Sequence, residues 1–290
     1  MSSLPTTLDG LGAWAAAPVD VPMGQVPTVF AQLSAPAGWS RIDLISDLHL
    51  TRASFDMTCA PLMQHLRNDP ADALFVLGDL FEAWIGDDAI AVDPFAQRCA
   101  DWLSSLGATV PLFFMHGNRD FLVGRGLLDD CNISMLDDPT VLDFDQRRWL
   151  LTHGDALCTG DRAYMAFRAQ VRQPGFQQGF VAMPIARRLE VARKMRERSE
   201  AHQGSQHEIA DVDADLAWRW MAAADAPVMI HGHTHRPDRH RSDLRADSPA
   251  ALERWVMSDW DASAQPPRGQ VLRLERGRDG QPRRIDLHGR

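Results

Sequence analysis

Short apolar runs recur along the 290-residue chain, and five of them end on a polar residue able to bind metal. Residues 42–46 lead into Asp47 and His49, residues 73–77 into Gly78 and Asp79, and residues 110–115 into His116, Gly117 and Asn118. Residues 149–152 lead into His153, and residues 227–230 into His231, Gly232, His233, Thr234 and His235. Runs of this length suit buried strands, because helices need about ten residues or more. Between them the pattern predicts helices over 59–68 and 94–106, the second stopped by Gly107. The expected fold is α/β, with ligand-capable residues at the carboxyl ends of strands, where open α/β sheets build their sites.

One stretch has a different period. From Met183 to about His202 it reads as a helix with Ile185, Leu189, Ala192 and Met195 on one side. Residues 187–198 hold six basic side chains against two acidic ones, a local charge of +4. Such a helix suits an inserted cap facing an anionic substrate or membrane surface; a solvated surface helix is the plainer alternative.

Composition narrows the class. A chain of 290 residues, 45% of them hydrophobic, suits one large domain or one domain with a cap. The net charge of −9 argues against nucleic acid as a partner, and nothing indicates an obligate protein partner. No run approaches the roughly 18 apolar residues of a membrane span. Cys59, Cys99, Cys131 and Cys158 lie far apart without a CxxC pair, which fits a reduced, cytoplasmic setting. Residues 1–40 lack Lys and Arg, contain five prolines and read as an irregular extension, with a short added strand or helix as the alternative.

The chemistry lies in a conjunction of residues. Asp47, His49, Asp79, Asn118, His153, His233 and His235 are all oxygen or nitrogen donors, a set suited to Mn²⁺, Zn²⁺ or Fe. Seven donors are too many for one ion that must also hold water. They suit two ions sharing a carboxylate, which together clamp the attacking and leaving oxygens of a displacement at phosphorus. Asp47 and His49 are two apart, as are His233 and His235, so each pair can address one face at a strand end. Gly78, Gly117, Gly154 and Gly232 adjoin ligands, where sharp turns are expected.

The order DLH, GD, GN, HGD and GHTH over residues 42–237 resembles the calcineurin-like metallophosphoesterases. The resemblance implies a β-sandwich flanked by helices (αββα) over 41–290, with a helical cap inserted at about 160–222. It implies one ion on Asp47, His49 and His235, a second on Asn118, His153 and His233, and a bridging Asp79. His231 matches no ligand of that pattern.

Longer blocks narrow the resemblance. They are residues 78–88 (GDLFEAWIGDD), 116–121 (HGNRDF), 153–159 (HGDALCT) and 231–237 (HGHTHRP). They resemble the UDP-2,3-diacylglucosamine hydrolases of lipid A biosynthesis. That resemblance implies a Mn²⁺-dependent hydrolase with two Mn²⁺ per chain. Water would attack the α-phosphorus of UDP-2,3-diacylglucosamine at the cytoplasmic face of the inner membrane, giving UMP and 2,3-diacylglucosamine 1-phosphate. The alternative is a two-metal nucleotide pyrophosphatase or phosphodiesterase acting on a soluble substrate. Arg119 stands where most of the wider family carries histidine; it cannot donate its proton at ordinary pH but can stabilise phosphate charge. A sugar phosphate leaving from a pyrophosphate needs little protonation. Asn118, Arg119 and His233 are the implied catalytic residues, and Asn118, Arg119, Asp161, Tyr164, Ser199 and His233 the implied substrate contacts. Asp161 could equally cap the helix after it, and Tyr164 could sit at a surface. The apolar residues Phe176, Phe180, Val181, Met183 and Ile185 are expected to line a groove for acyl chains.

Overall fold

The computed structural model describes residues 24–205, 211–242, 251–277 and 281–288, with the backbone alone for 198–205. The strands are β1 (Ala31–Ser34), β2 (Arg41–Ile45), β3 (Ala73–Leu77), β4 (Leu112–Met115), β5 (Ile133–Leu136), β6 (Thr140–Phe144), β7 (Arg147–Thr152), β8 (Val228–His231), β9 (Arg239–Ser242), β10 (Leu252–Val256), β11 (Gln270–Glu275) and β12 (Arg283–Asp286). They form two six-stranded sheets, ordered β1-β6-β7-β8-β10-β9 and β12-β11-β2-β3-β4-β5. The five apolar runs are β2, β3, β4, β7 and β8.

Those runs are apolar throughout because the sheets are covered on both faces. Along β3, Ala73, Phe75 and Leu77 point into the core between the sheets, while Leu74 and Val76 point into an outer core. That outer core is closed by α1 (Phe55–Asn68), α2 (Pro94–Gly107) and α3 (Arg125–Asp130), the crossovers of the parallel strands β2 to β5. Asp43 is the exception within β2. It is fully buried and receives Arg273 of β11 at 2.6 and 2.8 Å, with His65 of α1 at 2.9 Å, so its charge is paired.

The remaining helices are α4 (Arg162–Val171), α5 (Pro174–Val181), α6 (Ile185–Ser205) and α7 (Ala214–Ala223). In α7, Leu216, Ala217, Trp220 and Met221 pack against Val141, Leu150 and Met229 on the outer face of the first sheet. The fold is therefore the αββα sandwich, and α7 belongs to its outer layer. Helices α4, α5 and α6, hereafter the cap, are the rest of the segment expected to form one, and α7, counted with them, packs on the sheet face instead.

Two other expectations change. Residues 31–34, placed in an irregular extension, form β1 and pair in parallel with β6; residues 1–23 lie outside the described residues. Five prolines made the segment look irregular, yet they leave residues 28–35 free to pair. Gly107 is the last residue of α2 and does not take a left-handed turn after it. It is small because a Cβ there would lie 2.2 Å from the Cys131 carbonyl oxygen.

Candidate active site

The loops after β2, β3, β4, β7 and β8 meet at one end of the sandwich. They bring Asp47, His49 and His235 into one group and Asp79, His153 and His233 into another, with one ligand atom per residue inside 4.8 Å of the others. Asp79 faces both groups: its Oδ2 is 3.9 Å from His49 Nε2 and its Oδ1 is 3.7 Å from His153 Nε2. Asn118 joins the second group, with Oδ1 3.0 Å from His153 Nε2 and 2.8 Å from His233 Nδ1.

The backbone is strained where these residues sit. Asp47, His49, Asp79, His233 and His235 have φ of +56°, +45°, +52°, +66° and +54°. Side-chain-bearing residues rarely adopt that left-handed region, and such strain persists where surrounding structure over-determines it, commonly at functional sites. Gly78 and Gly154 take the left-handed turns expected of them, with φ of +86° and +105°, and the five donor residues share that region. Gly117 instead permits close approach, since a Cβ there would lie 2.1 Å from Asp79 Oδ1.

Hydrogen bonds orient the imidazoles. His153 Nδ1–H donates to the Leu77 carbonyl at 2.9 Å, which leaves Nε2 as the lone-pair nitrogen facing the site. Burial alone would lower the His153 pKa, but Asp79, Asp47 and Asp155 raise it to about 9. His233 goes the other way, held down to about 3 by burial and by the charge of His153. Burial would raise the Asp47 carboxyl, yet His235, His153 and His49 pull it well below its usual range. Imidazole nitrogens of His49 and His235 meet at 3.2 Å, and His235 Nε2 lies 3.3 Å from Asp47 Oδ1. Lone pairs converging around buried carboxylates form a donor set for divalent cations, so the residues fit two such ions.

Further residues hold these donors in place. Glu82 Oε2 lies 3.3 Å from His49 Nδ1, the carboxylate–histidine pairing that orients a ligand. Asp120 is buried and accepts from the backbone N–H of Leu80 and Gly117 at 2.7 and 2.8 Å, tying the Asp79 and Asn118 loops together. Burial, with the charge of Asp79, pushes its pKa up to about 7. Asp155 receives the Tyr164 hydroxyl at 2.7 Å and Arg168 Nε at 2.9 Å, while Arg172 Nη2 donates to the Gly117 carbonyl at 2.9 Å. His231 is buried; its Nε2 accepts from Arg254 at 2.9 Å and its Nδ1–H donates to the Gly232 carbonyl at 2.8 Å. That histidine supports the loop, and its pKa is lowered to about 3 by burial and Arg254.

Sequence reasoning named neither Glu82, Asp120 and Asp155 nor Arg168 and Arg172 for these roles. The three acids lie inside the motif blocks, and Tyr164, Arg168 and Arg172 recur every fourth residue, so a signal existed. Arg254 has none, because its partner is 23 residues away on a neighbouring strand.

The other expected residues fall as follows. Arg119 donates its backbone N–H to Asp79 Oδ1 at 2.8 Å, and its Nη1 is 3.5 Å from Glu82 Oε1. Asp161 is the N-cap of α4, accepting from the Tyr164 N–H at 2.9 Å. The Tyr164 ring lies 5.6 Å from the His233 ring. Ser199 is in α6, but its side chain lies outside the described residues. Beside the site, a groove of about 460 Å³ runs between α6 and residues 81–96, lined by Glu82, Trp84, Ile85, Ala89, Leu189 and Ala192 among others. Its apolar wall comes mainly from the 81–96 segment. Phe180, expected there, is instead buried in the outer core, with Phe176 and Ile185 packed against that core.

Two helix-covered sheets with a two-cation donor set at the strand ends define a metal-dependent phosphoester hydrolase. The chain belongs to the calcineurin-like phosphoesterases, whose family model matches residues 40–237. It is 41% identical to the UDP-2,3-diacylglucosamine hydrolase of Ralstonia nicotianae over 88% of this chain and 97% of that protein. It is 43% identical to the hydrolase of the same name from Bordetella parapertussis, over 80% of this chain and 91% of that one. For the Chromobacterium violaceum enzyme of that name the identity is 40%, over 81% and 95%.

Proposed function

We propose that this chain hydrolyses the pyrophosphate bond of UDP-2,3-diacylglucosamine, giving UMP and 2,3-diacylglucosamine 1-phosphate in lipid A biosynthesis. The observation that carries the reading is a two-cation donor set opening beside an apolar groove, in a chain with relatives of that name. Asp47, His49 and His235 would hold one divalent ion and Asn118, His153 and His233 another, with Asp79 facing both; Mn²⁺ is the ion we assign. When bound, such a pair activates water and offsets charge developing on phosphoryl oxygens.

The chain's own residues do the rest. Asn118, Arg119 and His233 bind the phosphoryl oxygens, and Arg119 is kept near by Glu82. Attack at the α-phosphorus expels a sugar phosphate, a leaving group stable as an anion, so an arginine in place of a general acid suits the reaction. Asp161, Tyr164 and Ser199 are assigned to the sugar and phosphate. The groove takes acyl carbons, each buried CH₂ contributing about 0.8 kcal/mol. Among the described residues no helix is long and apolar enough to cross a membrane, and Val181 and Met183 on the cap are 40% and 37% exposed. This supports peripheral docking, which we assign to the cytoplasmic face of the inner membrane.

The test uses metal-stripped protein with Mn²⁺ restored, assayed on UDP-2,3-diacylglucosamine and on a plain chromogenic phosphodiester. Strong Mn²⁺-dependent release of UMP with little action on the diester is expected. Activity on the diester alone would reject the lipid substrate and leave the two-metal chemistry standing.

A further inference from the structure

The block Trp84-Ile85-Gly86-Asp87-Asp88 contains no member of either donor group. Its two aspartates reach in opposite directions. Asp87 accepts from the Trp84 indole at 2.9 Å and from the backbone N–H of Gly124 and Leu127, each at 3.0 Å, so it ties the turn to the start of α3. Asp88 reaches the cap, where both its oxygens take the Arg188 guanidinium, Oδ1 at 2.7 Å from Nη1 and Oδ2 facing Nη2. Arg188 also donates to the carbonyls of Ile85 at 2.6 Å and Met183 at 2.9 Å.

This arginine is 1% exposed: three residues after Ile185 and four before Ala192, it shares the side of α6 that packs on the outer core. Leu189, one of the apolar positions read from the sequence, is 49% exposed and lines the groove. A planar guanidinium held by a fork of carboxylate oxygens and two carbonyls has one geometry, which lysine cannot reproduce. Gly86 is matched to it: with φ of +116°, a Cβ there would lie 2.7 Å from Arg188 Nη1. One wall of the groove is the 81–96 segment and the other is α6, and Arg188 joins the two at Ile85 and Asp88.

We propose that Arg188 and Asp88 form a latch that sets the spacing of the groove walls, making Arg188 a positioning residue for the apolar part of the substrate. It acts through α6 and touches neither donor group. The proposal rests on the lipid reading above, so its test has one arm that needs no substrate. In that arm, amide exchange is followed in the full-length protein. Arg188→Gln is expected to speed exchange in residues 185–191 by about tenfold or more, the loss of charged hydrogen bonds to a buried group. Asp88→Asn, at a half-exposed carboxylate, gives the same direction with smaller size, and Arg188→Lys restores little.

In the second arm, Arg188→Gln raises KM for the diacylated substrate about tenfold or more, while kcat/KM on a plain phosphodiester stays within about twofold. Equal loss on both substrates, or unchanged exchange in both variants, would overturn the latch. Faster exchange with no wild-type turnover of the lipid would instead reject the lipid reading and keep the latch.

Discussion

The two ends of the cap are attached to the sandwich by different means. At the α4 end, Tyr164, Arg168 and Arg172 lie on one helix face and reach Asp155 or the Gly117 carbonyl, directly behind His153 and Asn118. At the α6 end, among the described residues, one buried arginine, Arg188, reaches the sandwich beside the apolar packing of Ile185 and Ala192. The other basic residues there mostly pair along the helix: Arg187 with Glu190 at 2.5 Å, Lys194 with Glu190 at 2.6 Å, and Arg193 with Glu197. Arg196 reaches Glu82 at 3.5 Å. Two glutamates thus hold three of the basic side chains along the helix, while the run keeps its local charge of +4. Several buried charges fix the end that touches the chemistry; at the groove end the Arg188 latch carries the attachment, and the surface pairs along α6 add only a few tenths of a kcal/mol each.

The sharpest break of this comparison is Arg168→Ala. It removes the nearest charge partner of the fully buried Asp155 carboxylate, leaving the Tyr164 hydroxyl at 2.7 Å and Arg172 at 3.8 Å, and urea unfolding should show about 3 kcal/mol of destabilisation with loss of activity on every substrate. A cost below about 1 kcal/mol would remove the distinction between the two ends.

The same end bears on the proton of His153, whose pKa is about 9 without metal. Ligation displaces that proton, so metal affinity should rise about tenfold per pH unit up to about pH 9 and then level off. Metal-free stability has the opposite sign. A raised histidine pKa contributes fully below about pH 6.5, and that contribution is lost as the pH climbs through about 9. Calorimetric metal titrations across this range check the slope; a flat profile would mean His153 binds no ion.

At the groove end, Leu189→Asn should raise KM for the lipid substrate about fivefold and leave a plain phosphodiester untouched, since the side chain faces the groove. Smallest of all, Arg193→Ala should shift stability by less than about 0.5 kcal/mol, read from the same urea curves. A larger loss would show that the surface pairs carry the cap.

Much of the site was legible in the sequence, since a buried strand and the donor at its end are adjacent in the chain. Residues 73–77 followed by Asp79, and 149–152 followed by His153, report strand and ligand in one short window. The seven candidate donors come from five such windows, and the αββα sandwich from their resemblance to a known order. The apolar period of α6 does not single out Arg188: three residues after Ile185 it shares the packed side, and it is buried there because Asp88 and the Ile85 carbonyl wait at that register. Tertiary structure alone decided which loops meet. It set Glu82 beside His49, Asp155 beneath α4, Arg254 against His231, β1 alongside β6 and the left-handed turns at five ligands. The physical reason is range. Local patterning records how much of each residue is buried, whereas a buried polar group is satisfied by whatever distant segment the packing delivers, and nothing in its own neighbourhood names that partner.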